Sequence, residues 1–157
     1  MNDQSQNLDD ALLDALNAFN RDDYETAYKL FLPLAEQGDM FAQHFLALLH
    51  LEEGVNQDYK EAVKLFLLSA EQGNMFAQYG LGYMYYEGQG VPQDYEEAVK
   101  WYRLSAEQGD ADGQCGLGEM YYGGEGVPQD YAEAIKLWKL AAEQGHEEAQ
   151  YNLDNYA

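Results

Sequence analysis

The chain has 157 residues, 46% of them apolar, and sets 29 Asp plus Glu against 8 Lys plus Arg, a formal charge of −21. The apolar share is enough to bury a core, which argues against wholesale disorder. The charge argues against a nucleic-acid binder, which needs a basic footprint to neutralise phosphate, and against docking on anionic lipid. A single cysteine, Cys115, leaves no pair for an internal disulfide and no multi-cysteine zinc site.

No apolar run approaches the ~18 residues that span a bilayer. The stretch Met1 to Asn7 has neither the cationic nor the apolar region of a signal peptide. The expectation is a cytoplasmic protein. Residues 8–19 read as an amphipathic helix paired with a second helix over 23–37, giving an N-terminal pair at 8–37. Pro33 sits where later units have Leu68, Leu104 and Leu140, so a kink is expected there.

From this point the chain repeats itself. Ala-Glu-Gln-Gly recurs with its glycine at Gly38, Gly73, Gly109 and Gly145, at spacings of 35, 36 and 36 residues. Asp-Tyr recurs at Asp23-Tyr24, Asp58-Tyr59, Asp94-Tyr95 and Asp130-Tyr131 with the same spacings. Such a period is the signature of a repeat architecture. The units run over 39–73, 74–109 and 110–145, and 146–157 restarts a helix that caps the last of them. No linker or low-complexity segment interrupts them, so the chain reads as one array over 1–157.

Each unit reads as two helices, A then B. Asp58, Asp94 and Asp130 suit the N-cap of B, and Glu61, Glu97 and Glu133 three residues later complete the pattern of a capping box. Gly73, Gly109 and Gly145 fit the left-handed position that ends B. Alanines at 27, 62, 98 and 134, and again at 35, 70, 106 and 142, place a small-residue stripe on one face of B. In helix A the apolar ladder is Ala42, Leu46, His50, then Ala77, Leu81, Tyr85, then Gly113, Leu117, Tyr121. Gly82 and Gly118 fall mid-helix, where glycine costs ~1 kcal/mol against alanine, so a close crossing by B is expected there. The A–B connections are the glycine-rich loops 88–93 and 124–129, with Pro92 and Pro128 barring continuation of the helix.

These residues carry a family resemblance. The run Ala77, Leu81, Gly82, Tyr85, Gly88, Gly90, Val91, Asp94, Ala98, Trp101, Ser105, Ala106, Gly109 closely resembles the Sel-1-like repeat, a relative of the tetratricopeptide repeat. The unit at 113–145 departs at Gly113 and Leu137. The unit at 42–73 departs at Ala47, His50 and Glu53 and lacks one loop residue. The resemblance covers roughly residues 20–157. It implies an all-α fold, a right-handed α/α superhelical solenoid, and a role in protein–protein interaction.

The resemblance also implies that helix A lines the concave face. Matched to the tetratricopeptide ladder, it directs Phe76, Tyr79, Tyr83 and Tyr86 to the groove, with Glu87 beside them. The preceding unit offers Phe41, His44, Leu48 and Leu51, the following one Asp112, Cys115, Glu119 and Tyr122. The tyrosines supply area and a polar tip, as recognition sites do. A tyrosine stripe at this spacing also suits a core, and both readings stand at this stage. The cations gather in the B helices, which hold thirteen acids against seven Lys or Arg; the rest of the chain holds sixteen acids and Arg21 alone. Such a face reads either as a solvated surface or as a means of steering a basic partner.

No catalytic constellation is found. His44, His50 and His146 have no mutual metal-ligand spacing. Asp110-Ala-Asp112-Gly113 has its glycine too early for a calcium loop. Gly80-Leu-Gly82 and Gly116-Leu-Gly118 lack the third glycine and the preceding strand of a dinucleotide site. Cys115 has no base near it in the repeat register, so a structural thiol is expected. The sequence thus points to a non-enzymatic interaction module with no metal and no cofactor, holding a protein or peptide, basic in character, in an aromatic and acidic groove. Self-association through that groove is a second expectation. The alternative is an acidic inhibitor or immunity-type protein that masks a basic toxin or nuclease.

Overall fold

The computed structural model describes residues 3–52 and 57–157, with side chains from Asp9 onward. Glu53, one of the departures from the repeat pattern, and the shortened Gly54-Val55-Asn56 loop lie outside the described residues, as does the start of the stretch read for a signal peptide. All elements among the described residues are helices, and within each compact unit each helix packs on the next, giving an all-α helix-pair repeat fold. They fall into two compact units, residues 1–72 and 73–157.

The first unit holds α1 (Asp3–Phe19), α2 (Tyr24–Glu36), α3 (Met40–Leu49) and α4 (Tyr59–Glu71). Helix α1 starts at Asp3, ahead of the expected start at residue 8, in a polar stretch with no apolar period to announce it. Helix α2 runs through Pro33 to Glu36, with the proline ring on the exposed side. Its core is aromatic. Phe31 stacks on Phe45 at 5.3 Å, and Phe19 meets both rings edge-on.

The second unit holds α5 (Met75–Glu87), α6 (Tyr95–Glu107), α7 (Ala111–Gly123), α8 (Tyr131–Glu143) and α9 (Glu147–Tyr156). The expected close crossings are present. A Cβ on Gly82 of α5 would lie 2.7 Å from the Tyr102 ring of α6, and one on Gly118 of α7 would lie 2.6 Å from Nε1 of Trp138 on α8. The mid-helix glycines therefore seat the large ring of the partner helix. Helix α9 lays Ala149 and Leu153 against the cluster of Cys115, Ala134, Trp138 and Ala141.

Two details of the capping differ from the sequence reading. Asp58, Asp94 and Asp130 do cap their helices through side-chain oxygens. Their own N–H groups donate to the carbonyls of His50, Tyr85 and Tyr121, so helix A takes the role assigned to the glutamates. Glu61, Glu97 and Glu133 pair instead with Lys64, Lys100 and Lys136, one turn on. The small-residue stripe is buried at Ala27, Ala62, Ala98 and Ala134 and again at Ala35 and Ala70, while Ala106 and Ala142 are half-buried.

The Gln of Ala-Glu-Gln-Gly has a structural job that its recurrence alone did not disclose. The Gln72 side-chain amide donates to Oε1 of Gln43 at 2.8 Å. In the second unit Gln108 donates to Gln78 and to the carbonyl of Gly73, and Gln144 donates to Gln114 and to the carbonyl of Gly109. Each buried glutamine of helix A is thereby satisfied by the glutamine that ends helix B.

Candidate functional site

A cavity of about 220 Å³ opens in the second unit, and most of the residues expected in a groove meet there. Tyr79, Tyr83 and Tyr86 stand at i, i+4 and i+7 of α5, one face turned away from the buried Ala77 and Leu81. Glu87 follows at the end of that helix. Asp112 and Glu119 come from α7, with Cys115 between them. Tyr83 is 40% exposed, while Tyr79 is half-buried and stacks on Tyr102 at 5.7 Å.

Four lining residues escaped the sequence reading: Tyr102, Gly116, His146 and Glu148. The register held signals for each. Tyr102 occupies the B-helix position of Phe66 and Trp138. Gly116 makes room for it, since a Cβ there would lie 3.2 Å from the Tyr102 ring. Glu148 is the next copy of the position held by Phe76 and Asp112, and His146 repeats the A-helix N-cap of Asn74 and Asp110. Carrying the period one step into the C-terminal helix would have found both.

The other expected residues lie elsewhere. Tyr122 does not line the cavity; its ring packs against Tyr131, Trp138 and Tyr156. Phe76 is 45% exposed on α5 but is not part of the lining. In the first unit Phe41 is 41% exposed and Leu48 and Leu51 are half-buried. His44, placed in the groove by register, is instead packed against the rings of Phe45 and Phe66 at 5.1 and 5.8 Å. Burial pushes its imidazole down to about 4, so it is neutral at pH 7 and behaves as an aromatic core residue. The first unit has its own shallow hollow of about 520 Å³ between α1 and α2, lined by Asp14, Asn17, Arg21 and Thr26 among others, which none of the expected residues enters.

The cavity of the second unit is electrostatically one-sided. Glu87, Asp112, Glu119 and Glu148 line it, and no lysine or arginine does. His146 is committed: its Nδ1 accepts from the Ala149 N–H at 3.2 Å, so its Nε2–H donates to Asp112 at 2.9 Å. Oε1 of Glu119 accepts from Nδ2 of Asn152 at 3.2 Å and from the Cys115 thiol at 3.8 Å. Burial, and then the Glu148 carboxylate, raise the Glu119 carboxyl above its ordinary range. Burial also pushes up the Tyr79 and Tyr102 phenols, and at Tyr79 the Asp112 and Glu119 charges add to it.

The Cys115 thiol is buried and pushed up by that burial and by Glu119, so it stays protonated and is a weak nucleophile. Asp110, which opens the Asp110-Ala-Asp112-Gly113 run, caps α7, accepting from Ser105 Oγ at 2.7 Å and from the Gly113 N–H. Among the described residues no helix is long and apolar enough to cross a membrane.

A family model described as Sel1 repeat matches residues 20–39, 41–74, 76–110 and 111–146. Among solved structures, a protective antigen of uropathogenic Escherichia coli strains displaying an SLR fold is 44% identical, with a TM-score of 0.75 over 78% of this chain and 27% of its own. A Sel1 repeat protein from Oxalobacter formigenes is 31% identical, with a TM-score of 0.85 over 92% of this chain and 58% of its own. This chain thus spans less than two thirds of either. Cysteine rich protein B of Helicobacter pylori shares the fold at 24% identity and a TM-score of 0.64, over 81% of this chain and 92% of its own. None of the curated proteins matches the chain.

Proposed function

Because the chain belongs to the Sel1 repeat family, whose members generally mediate protein–protein interactions, we propose that it is a non-enzymatic adaptor that holds a cationic segment of another protein in the cavity of its second unit. The observation that carries this reading is the lining: tyrosine rings and four carboxylates, with no lysine or arginine among them. Opposite charge steers the encounter, and rigid tyrosines supply contact area at small entropic cost.

The experiment is a pull-down at low and high salt, wild type beside Tyr83→Ala/Tyr86→Ala, with a melting curve for each protein. The expected result is a partner with an exposed basic segment, captured by wild type and lost in the double variant. A basic partner that both proteins hold and that salt releases would transfer the role to the acidic surface at large. The observation favouring that second reading, an inhibitor that masks a basic toxin or nuclease, is the excess of acids outside the B helices. Capture of a second copy of the chain in place of a basic partner would replace the adaptor with self-association.

A further inference from the structure

One end of the cavity, where Cys115 is buried and Glu119 and Glu148 are exposed, has a geometry more specific than a negative surface. Sγ of Cys115 and one carboxylate oxygen each of Glu119 and Glu148 lie within 4.8 Å of one another. They come from two helices, α7 and α9, so they surround a point instead of forming an edge. The tyrosines of α5 wall the approach. At about 220 Å³ the cavity is below the ~300–1,000 Å³ of typical small-molecule sites and suits one side chain.

Resting on the adaptor reading above, we propose that this end of the cavity seats a single lysine ammonium group of the partner, held between Glu119 and Glu148 beside the Cys115 sulfur, with its methylene stem against Tyr79 and Tyr83. An ammonium is a compact point charge with three donors, which matches acceptors arranged around a point. A guanidinium is a planar fork that prefers both oxygens of one carboxylate. Glu119 does not offer that edge, because its Oε1 already accepts from Asn152 and Cys115. Tyrosine faces add attraction for a cation within reach of the ring. A divalent metal fits less well. Calcium takes six to eight oxygen ligands, and two carboxylates meet here.

Binding of small probes read by NMR on isotope-labelled protein tests the seat. The probes are N-acetyl-lysine methylamide, the arginine and norleucine analogues, and CaCl2 and ZnCl2 in separate titrations. A lysine-rich and an arginine-rich heptapeptide form the last two arms. The lysine probe should shift the amides of Cys115, Glu119 and Glu148 and bind several-fold more tightly than the arginine probe, with norleucine inert. Glu119→Gln and Glu148→Gln should each weaken it about tenfold, the loss of one charge-assisted hydrogen bond. Glu119 and Glu148 are both exposed, so both variants keep the fold. An arginine probe that binds as well or better overturns the lysine seat and leaves the cationic cavity standing. Metal binding tighter than lysine at the same amides overturns it in favour of an ion site. If neither heptapeptide shifts any cavity residue, the adaptor reading itself fails.

Discussion

The mid-helix glycines offer the sharpest test of how the repeats are held together, and Gly118→Ala is the cleanest perturbation. A Cβ at 118 would stand 2.6 Å from Nε1 and 2.7 Å from Cδ1 of Trp138, and 3.3 Å from the Ala134 carbonyl. The indole has no room to retreat: it is 1% exposed and lies against the rings of Tyr122 and Tyr156. Overpacking of this kind costs about 1–3 kcal/mol, while replacing a helical glycine with alanine returns up to about 1 kcal/mol. The net expectation is a loss of about 1 kcal/mol, or about 2–4 °C in Tm for a chain of this size. Gly123→Ala is the control. Its Cβ would meet only the flexible Glu125 side chain at 3.3 Å, so its Tm should hold or rise. Trp138→Phe removes Nε1, the nearest of those atoms, with its N–H that has no hydrogen-bond partner, and leaves a smaller ring that can shift. In that background the penalty of Gly118→Ala should shrink by more than half. Thermal melts of wild type and the four variants decide the matter. A Gly118→Ala variant that melts at or above wild type would mean that alanine fits the crossing and that glycine serves no packing purpose there.

Three further outcomes follow from the same geometry. Gln114→Leu leaves the Gln144 amide without its side-chain acceptor and should cost about 1–2 kcal/mol in urea denaturation, more than the exposed change Gln150→Leu. Cys115 should resist iodoacetamide in native buffer and react at the rate of a free thiol in urea; equal rates would show that the thiol is not held buried against Glu119. For Glu119, burial and Glu148 raise the folded-state pKa, so the folded protein binds the proton more tightly than the unfolded chain. Its ionised form therefore opposes folding at neutral pH, and that opposition is relieved as pH falls through the folded-state value. Glu119→Gln should be the more stable protein at pH 7, with the gap closing as pH falls toward the ordinary range of a glutamate near 4.3. A gap that widens on acidification would reverse the assigned sign.

The helices and their caps were legible because each rests on residues that recur at one period. Asp94 and Asp130 cap because a carboxylate at that position meets free N–H groups, whatever lies across the helix. The close crossings were legible for a related reason: a mid-helix glycine has a cost, and a recurring cost implies a recurring neighbour. What the pattern withheld was the identity of partners in three dimensions. Glu97 looks like half of a capping box until the Tyr85 carbonyl is seen to take the Asp94 N–H first. His44 shares its register with Tyr79, yet aromatic rings close in on it from its own unit, and a position index carries no record of that.

The cavity shows why the periodic part of the sequence and the working part separate. The positions that repeat, Ala77 and Leu81 with their counterparts, are spent on burying helix against helix. The carboxylates that α7 and α9 bring to the cavity stand at positions where the copies disagree. Phe76 gives way to Asp112 and then Glu148; Tyr79 gives way to Cys115; Tyr83 gives way to Glu119. Stacked at one pitch, these unlike copies bring tyrosines from α5 to face carboxylates from α7 and α9. A chain of identical repeats would line its face with one residue type and could build no such contrast. The contrast across the cavity therefore rests on departures from the repeat, and the two copies that match the pattern best, 74–109 and 110–145, supply the frame against which those departures face one another.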